Sequence, residues 1–240
     1  MTEESELRVI WEEHPCLVVN KPAGILTQSP PGIDSLDKRV LAFLKARENH
    51  PGKPYVGVPH RLDRPTSGAI VFARHVRATR RLSDQFAGRL VDKVYWALVE
   101  GEVTPDTGRW VDMMRKIPNQ PQAEIVDCKH PDGRMAVLEY RVLGRGDFGT
   151  WLEVRLETGR MHQIRLQCGS RGHPVLGDKD YGSTVHFGPE VEHWRSRWIA
   201  LHARSIAFRH TKSQEMVSVI APLWPAWRDF QPDSFWQTTE

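Results

Sequence analysis

His60-Arg61-Leu62-Asp63-Arg64-Pro65-Thr66-Ser67-Gly68 runs directly into the apolar stretch Ala69-Ile70-Val71-Phe72-Ala73. A short apolar run bounded by turn formers reads as a buried strand. Pro65 and Gly68 make the preceding segment a loop. Asp63 therefore sits on a loop at the edge of a packed sheet, with Arg61 and Arg64 on either side. Neighbouring positive charge favours the ionised form of a carboxylate. A lone Arg-Leu-Asp of this kind is most often a surface turn with solvated arginines. The rest of the chain decides whether this loop carries chemistry.

Upstream, Leu17-Val18-Val19-Asn20 is a strand, Lys21-Pro22-Ala23-Gly24 turns the chain, and Ile25-Leu26 continues it. By itself Lys21 reads as a solvated loop lysine. Ser35 to Arg47 has helical spacing, with Leu36, Val40, Leu41 and Leu44 in one stripe. Glu48 to Gly57 reads as a loop leading into the Asp63 segment.

Downstream, Arg77 to Leu90 is a second helix with Ala78, Leu82, Phe86 and Leu90 on its apolar face. Arg77, Arg80 and Arg81 lie elsewhere on it and read as a solvated face. Lys93 to Gly101 is apolar at both alternating sets, as in a strand buried on both faces. Thr104 to Gly133 is broken by prolines and glycines and reads as a long excursion, with a short strand at Ala123 to Val126. Met135 to Val142 returns to strand character, and Trp151 to Glu157 alternates cleanly. Thr158-Gly159-Arg160 stops that strand, with Thr158 placed to cap a helix over Met161 to Gln167. His162 and Arg165 then share a helix face. Gly169, Gly172 and Pro174 end it. Strand signals recur at Leu201-His202-Ala203, at Ile206 and Phe208, and from Met216 to Ala221. Trp194, Trp198, Trp224, Trp227 and Trp236 cluster late in the chain and read mostly as core.

The 240 residues allow one large domain or two small ones. Hydrophobic residues at 40% and charged residues at 26% are an ordinary globular composition, and a net charge of +3 means that any basic surface must be local. Cys16, Cys128 and Cys168 are scattered, which suggests free thiols in a reducing compartment. The acidic, polar start is not a signal peptide, and no run is long and apolar enough to span a membrane. A cytoplasmic protein is expected.

Three strings resemble, in order, the motifs of the RluA family of RNA pseudouridine synthases. The first is the segment from His60 to Gly68, similar to the family's His-Arg-Leu-Asp-x-x-Thr-Ser-Gly, whose aspartate is catalytic. The second is Lys93-Val94-Tyr95, opening a strand after a helix. The third is Thr158 to Arg165, followed by Gly172 to Asp178 and Tyr181-Gly182. Lys21 to Gly24 also matches a family segment. Arg134-Met135-Ala136 departs from the commoner Lys-x-Ala. The resemblance runs from Leu17 to Leu223. It implies a single catalytic domain over 1–240 with its core at 17–223, and no extra N-terminal RNA-binding domain. The implied fold is α+β, with a mixed, mostly antiparallel central sheet flanked by helices and loops.

The resemblance further implies an isomerase that converts uridines in ribosomal or transfer RNA to pseudouridine by flipping the base toward Asp63. Tyr95 would line the uracil pocket and Arg165 would pair with Asp63. Lys21, His60, Arg61, Arg64, Thr66, Arg160, His162, Gln163, Leu166 and Arg171 would bind substrate RNA around one basic groove. Pseudouridine formation needs no cofactor or metal, and a monomer is expected. The rival from another class is an RNA-binding module without catalysis; a neutral residue at position 63 would favour it, and Asp63 is acidic. A glycoside hydrolase would need paired carboxylates that the main motif lacks. A metal hydrolase finds no His-x-x-x-His pair with an acid ligand among the 11 histidines.

Overall fold

A computed structural model describes residues 7–48 and 54–230. Part of the loop expected over Glu48 to Gly57, and Trp236, lie outside the described residues. The chain is α+β, with ten strands among the described residues in a mixed, mostly antiparallel arrangement. It divides into two compact units that interleave in sequence.

The first unit comprises Met1–Val94, Glu192–Ser196 and His202–Pro222. Its strands are β1 (Val9–Glu13), β2 (Cys16–Lys21), β3 (Ser67–Ala73), β9 (Leu201–Arg209) and β10 (Met216–Ile220). They lie in the order β1-β2-β3-β9, and β10 pairs with β9. All these pairings are antiparallel except β3 with β9, where Ser67 faces His202 and Gly68 faces Ala203. Every residue of β2 and β3 is buried. That accounts for their unbroken apolar runs, because a strand covered on both faces has no polar side to alternate with. Val18, Ala69 and Val71 share one cluster with Phe208, Val219 and the inward residues Ala78 and Leu82 of α2 (Val76–Ala87). The helix α1 (Leu36–Glu48) buries Leu36, Val40 and Leu44, as its spacing predicts.

Gly68 sets how closely β3 approaches β9. Its φ is +115°, and a Cβ there would lie 2.3 Å from the Ala203 carbonyl oxygen. Real Cβ atoms do not come that near backbone, so only glycine allows this parallel contact.

The second unit comprises Tyr95–Val191, Arg197–Leu201 and Leu223–Glu240. It holds β4 (Asp92–Val99, from Tyr95 onward), β5 (Thr107–Lys116), β6 (Ala123–Ile125), β7 (Arg134–Gly146) and β8 (Gly149–Leu156), in the order β4-β8-β7-β5-β6. Its one α-helix among the described residues is α3 (Gln163–Gly169). Trp198, Trp224 and Trp227 are core, whereas Trp194 in the first unit is 58% exposed.

Three local expectations are corrected. The region expected to be irregular contains β5, a ten-residue strand. Its backbone is paired with β7 from Thr107–Arg141 to Met114–Arg134, and that pairing overrides a side-chain pattern with no clear alternation. The second helix stops at Ala87 and not at Leu90. Gly88 caps it through a bond to the Asp84 carbonyl, and Arg89 turns left-handed, so Leu90 is 65% exposed. The third helix starts at Gln163, and Thr158 does not cap it. The Thr158 hydroxyl accepts from the Val137 N–H (2.7 Å) and donates to the Gln163 amide oxygen (2.8 Å). No helix among the described residues is long and apolar enough to cross a membrane.

Candidate active site

In the first unit the Asp63 loop is clamped by the segment that leaves β2. Lys21 is fully buried, and its ammonium donates to the carbonyls of Pro22 (3.1 Å), Arg64 (3.1 Å) and Thr66 (2.7 Å). An ammonium has three protons and no acceptor, so this set satisfies it fully. Gly24 and Arg64 bond reciprocally: the Gly24 N–H reaches the Arg64 carbonyl and Arg64 Nε reaches the Gly24 carbonyl, both at 2.9 Å. The Thr27 hydroxyl takes the Leu62 N–H (3.2 Å) and donates to the Leu62 carbonyl (2.9 Å). The Asp63 carbonyl itself accepts from the Thr66 N–H at 3.1 Å. Residues 62, 64 and 66 are thus tied down on both sides of Asp63, which is half-buried. Fixed backbone on either side limits where its carboxylate can go.

The electrostatics agree with that geometry. Desolvation pushes the Lys21 pKa down to about 7, against the attraction of the Asp63 carboxylate, which raises it. Asp63 thus acts on a cation built into the floor of its own loop. His60 is held neutral: desolvation, with a smaller effect of the Lys93 charge, pushes its pKa down to about 3. Its ring stacks on Phe86 at 4.2 Å and Nε2 accepts from the Val71 N–H at 3.1 Å. Arg61 is exposed, and Thr66 is buried with its hydroxyl oxygen making no hydrogen bond to any described residue.

In the second unit α3 delivers Arg165, only 2% exposed. Arg165 grips Asp178 through Nε (2.6 Å) and Nη2 (2.8 Å) and reaches Asp180 at 3.0 Å. Its guanidinium lies 5.0 Å from the Tyr181 ring centroid. Asp180 also binds Arg197 at 2.5 Å, and its carboxyl stays below the usual range: these arginines outweigh its desolvation. His162 enters the helix left-handed, at φ 52°, and its Nδ1 lies 2.8 Å from the Tyr181 hydroxyl. A non-glycine residue in that region is strained, and the bond to Tyr181 helps to hold it. Tyr95 is nearly buried on β4.

The chain from residue 15 to 170 matches the family model described as RNA pseudouridylate synthase. The chain belongs to the RNA pseudouridylate synthase family. It is 34% identical over 226 residues to ribosomal large subunit pseudouridine synthase D of Xanthomonas campestris, covering 90% of this chain and 66% of that one. It is also 34% identical over 237 residues to the dual-specificity RNA pseudouridine synthase RluA of Vibrio vulnificus, covering 94% and 85%. The chain thus spans just under two thirds of the first relative and most of the second. A solved human structure, RNA pseudouridylate synthase domain containing 4, shares the fold with a TM-score of 0.73 at 21% identity, covering 91% of this chain and 89% of that one.

Within this family member the expected site residues fall into two sets. Lys21, His60, Arg61, Asp63, Arg64 and Thr66 belong to the first unit. Tyr95, Arg160, His162, Gln163, Arg165, Leu166 and Arg171 belong to the second. Several residues expected to contact RNA make hydrogen bonds, ion pairs or packing contacts within the protein. Lys21 spends its charge on carbonyls, and His60 is neutral. Gln163 is 3% exposed, accepting from Thr158 and the Arg160 N–H and donating to the Val137 carbonyl. Leu166 packs against Met114, Ala123 and Ala136. Arg171 pairs with Asp112 at 3.0 Å and stacks over Trp110 at 4.7 Å. Arg160 donates to the Met135 carbonyl yet keeps part of its surface. Sequence reasoning passed over Thr27, Asp180 and Arg197. Thr27 carries no signal at all, because a hydroxyl three residues past a turn looks like any other.

Proposed function

We propose that the chain isomerises uridine in RNA to pseudouridine, with Asp63 as the catalytic carboxylate. The observation that supports this most directly is the Asp63 loop, pinned on both sides by Lys21, Gly24 and Thr27 in a chain of this family. In the reaction N1–C1′ breaks and C5–C1′ forms; the proton lost from C5 is balanced by one gained at N1. A carboxylate near the sugar can act as nucleophile at C1′ or as base at C2′. Arg165, itself fixed by Asp178, is assigned to pair with Asp63 and keep it ionised once water is excluded. Tyr95 is assigned to pack the detached uracil and to take part in removing the C5 proton. Arg61, exposed and beside Asp63, is assigned to the flipped nucleotide's surroundings. The target uridine must leave its stack to reach a carboxylate held this way.

Residues 17–223 would work together as one catalytic domain, as a monomer and without cofactor or metal, in the cytoplasm. Ribosomal RNA and transfer RNA are both proposed as substrates; the name of the Xanthomonas relative specifies the ribosomal large subunit, and that of the Vibrio relative a dual specificity for RNA. The test is release of label from C5 of uridine in transcripts of both kinds. Asp63→Asn should bind RNA as wild type does and release nothing. Turnover by that variant would remove Asp63 from the mechanism. The rival reading, an RNA-binding module without catalysis, predicts RNA binding by wild type with no release from any transcript.

A further inference from the structure

At the opposite end of β3 from the Asp63 loop, the first unit contains a cavity of about 450 Å³. The loop precedes Ser67, whereas the cavity begins past Ala73, at His75 and Arg77. Seven residues at about 3.3 Å each put roughly 20 Å between the two. The side chains of His14, His75, Arg77, Arg81 and Lys212 line it, and no acidic residue does. Arg77 and Arg81 are one turn apart on α2, so they project from one face. Arg81 Nη1 donates to the Thr211 carbonyl, which ties the helix to the turn between β9 and β10.

The positive charge here is not cancelled internally. Arg77, Arg81 and Lys212 form no ion pair with any described residue. Glu12 is engaged with Arg47 and Arg74, Glu13 lies opposite His210 at 3.6 Å, and Asp84, three residues past Arg81 on the same helix, makes no ion pair with a described residue. The first turn of α2 carries no acidic residue; His75 Nδ1 takes the Ala78 N–H at 3.0 Å, and the remaining N–H groups of that turn add to the same potential. Like charges crowd at a cost, which an anion seated among them would relieve. This also gives the arginines of α2 a role beyond a solvated face.

We propose that this cavity seats a backbone phosphate of the bound RNA, at a distance from the target uridine. The proposal rests on RNA being the substrate, as inferred above. At about 3.4 Å per stacked nucleotide, roughly six nucleotides separate this contact from the one at Asp63. It would therefore act only on RNA long enough to span both.

The test compares wild type with the double variant Arg77→Gln/Lys212→Gln by filter binding across a salt series. The probes are a transfer RNA transcript, a uridine-centred pentaribonucleotide and inorganic phosphate. A phosphate contact is indifferent to sequence, so the transcript reports on it whether or not it holds the true target. For the transcript the variant should bind roughly five- to tenfold more weakly at low salt, with a log–log slope reduced by about one to two. The pentanucleotide should bind both proteins alike. Both substituted residues are exposed, so the melting temperature should not move; if it does, the single variants replace the double in the same comparison. An unchanged slope and affinity for the transcript would overturn the proposal. So would equal weakening of the pentanucleotide. If inorganic phosphate binds wild type and not the variant while the transcript is unaffected, the cavity is a small-anion site and the RNA assignment falls. Label release by wild type is scored separately: its absence would defeat the enzymatic reading and leave the binding comparison standing.

Discussion

Lys21 shows how one buried side chain can fix a loop from within. Its ammonium holds three carbonyls around Asp63, and no other residue type presents three donors from so compact a head. Lys21→Met keeps the stem and removes the donors. The carbonyls of Pro22, Arg64 and Thr66 then lose a buried partner, at a cost of about 2–4 kcal/mol in stability. Chemical denaturation should register that loss, and the turnover of whatever protein remains folded should fall as well, because the loop is released. Lys21→Arg should not rescue, since a planar fork cannot cap three convergent carbonyls. Stability within about 0.5 kcal/mol of wild type would mean that the lysine clamp is dispensable. Tyr95→Phe asks a different question of the second unit. It preserves packing on β4 and removes only the hydroxyl. RNA affinity should persist while C5 label release slows; full activity would reduce Tyr95 to a wall of the uracil pocket.

At the level of elements, β3 receives the Asp63 loop and α3 carries Arg165, and each has a separate anchor. For β3 the anchor is its parallel contact with β9, where Gly68 lies against Ala203. The Ser67 hydroxyl lies 2.8 Å from His202 Nδ1, and His202 Nε2 lies 3.2 Å from the Ala221 carbonyl. Gly68→Ala puts a methyl group into backbone and forces β3 away from β9. We expect destabilisation of about 3 kcal/mol or more, read as a lowered denaturation midpoint together with lost turnover. An unaltered midpoint would mean that β3 can shift at little cost. For α3 the anchor is Asp178. Asp178→Asn leaves Arg165 buried with a neutral partner, and unpairing a buried charge typically costs about 3–5 kcal/mol. The loss here should fall at the lower end, because Asp180 remains. Both β3 and the Trp151 strand were legible from sequence, since unbroken apolar runs and clean alternation are patterns in the side chains themselves. The strand β5 was not legible, because its stability comes from hydrogen bonds to β7 that its own side chains do not announce.

For the molecule as a whole, two buried histidines predict how it responds to acid. Desolvation pushes both His60 and His202 from 6.5 to about 3; the Ala221 carbonyl offsets it a little for His202. Both are therefore neutral when folded and protonate in the unfolded chain below about pH 6.5. The unfolded state then binds more protons, so stability rises with pH across that window. The contribution is fully present above about 6.5 and is lost as pH falls toward 3. At pH 5 the loss is roughly 2 kcal/mol per histidine. Near pH 5.5, between the ranges where Lys21 and the paired carboxylates titrate, the denaturation slope should approach two protons, and His60→Gln should reduce it by about one. A flat profile would mean that both rings are solvated.

The sequence by itself determined the family, the α+β class and the positions of most strands along the chain. It could do so because those features rest on local patterns: apolar runs, turn formers and motif strings that hold within a dozen residues. It also singled out the loop that carries Asp63 and the helix that carries Arg165. What it could not determine is which polar atoms face solvent and which are used up inside. Lys21, His60, Gln163 and Arg171 look like surface groups in a string of letters. Each is engaged by a partner 26 to 59 positions away: Lys21 by Thr66, His60 by Phe86, Gln163 by Val137 and Arg171 by Asp112. The uncancelled charge of Arg77, Arg81 and Lys212 is likewise invisible until β3, α2 and the turn between β9 and β10 are brought to one end of the unit. Tertiary structure decides these points because hydrogen bonding and Coulomb attraction depend on separation in space, and chain connectivity leaves that separation open.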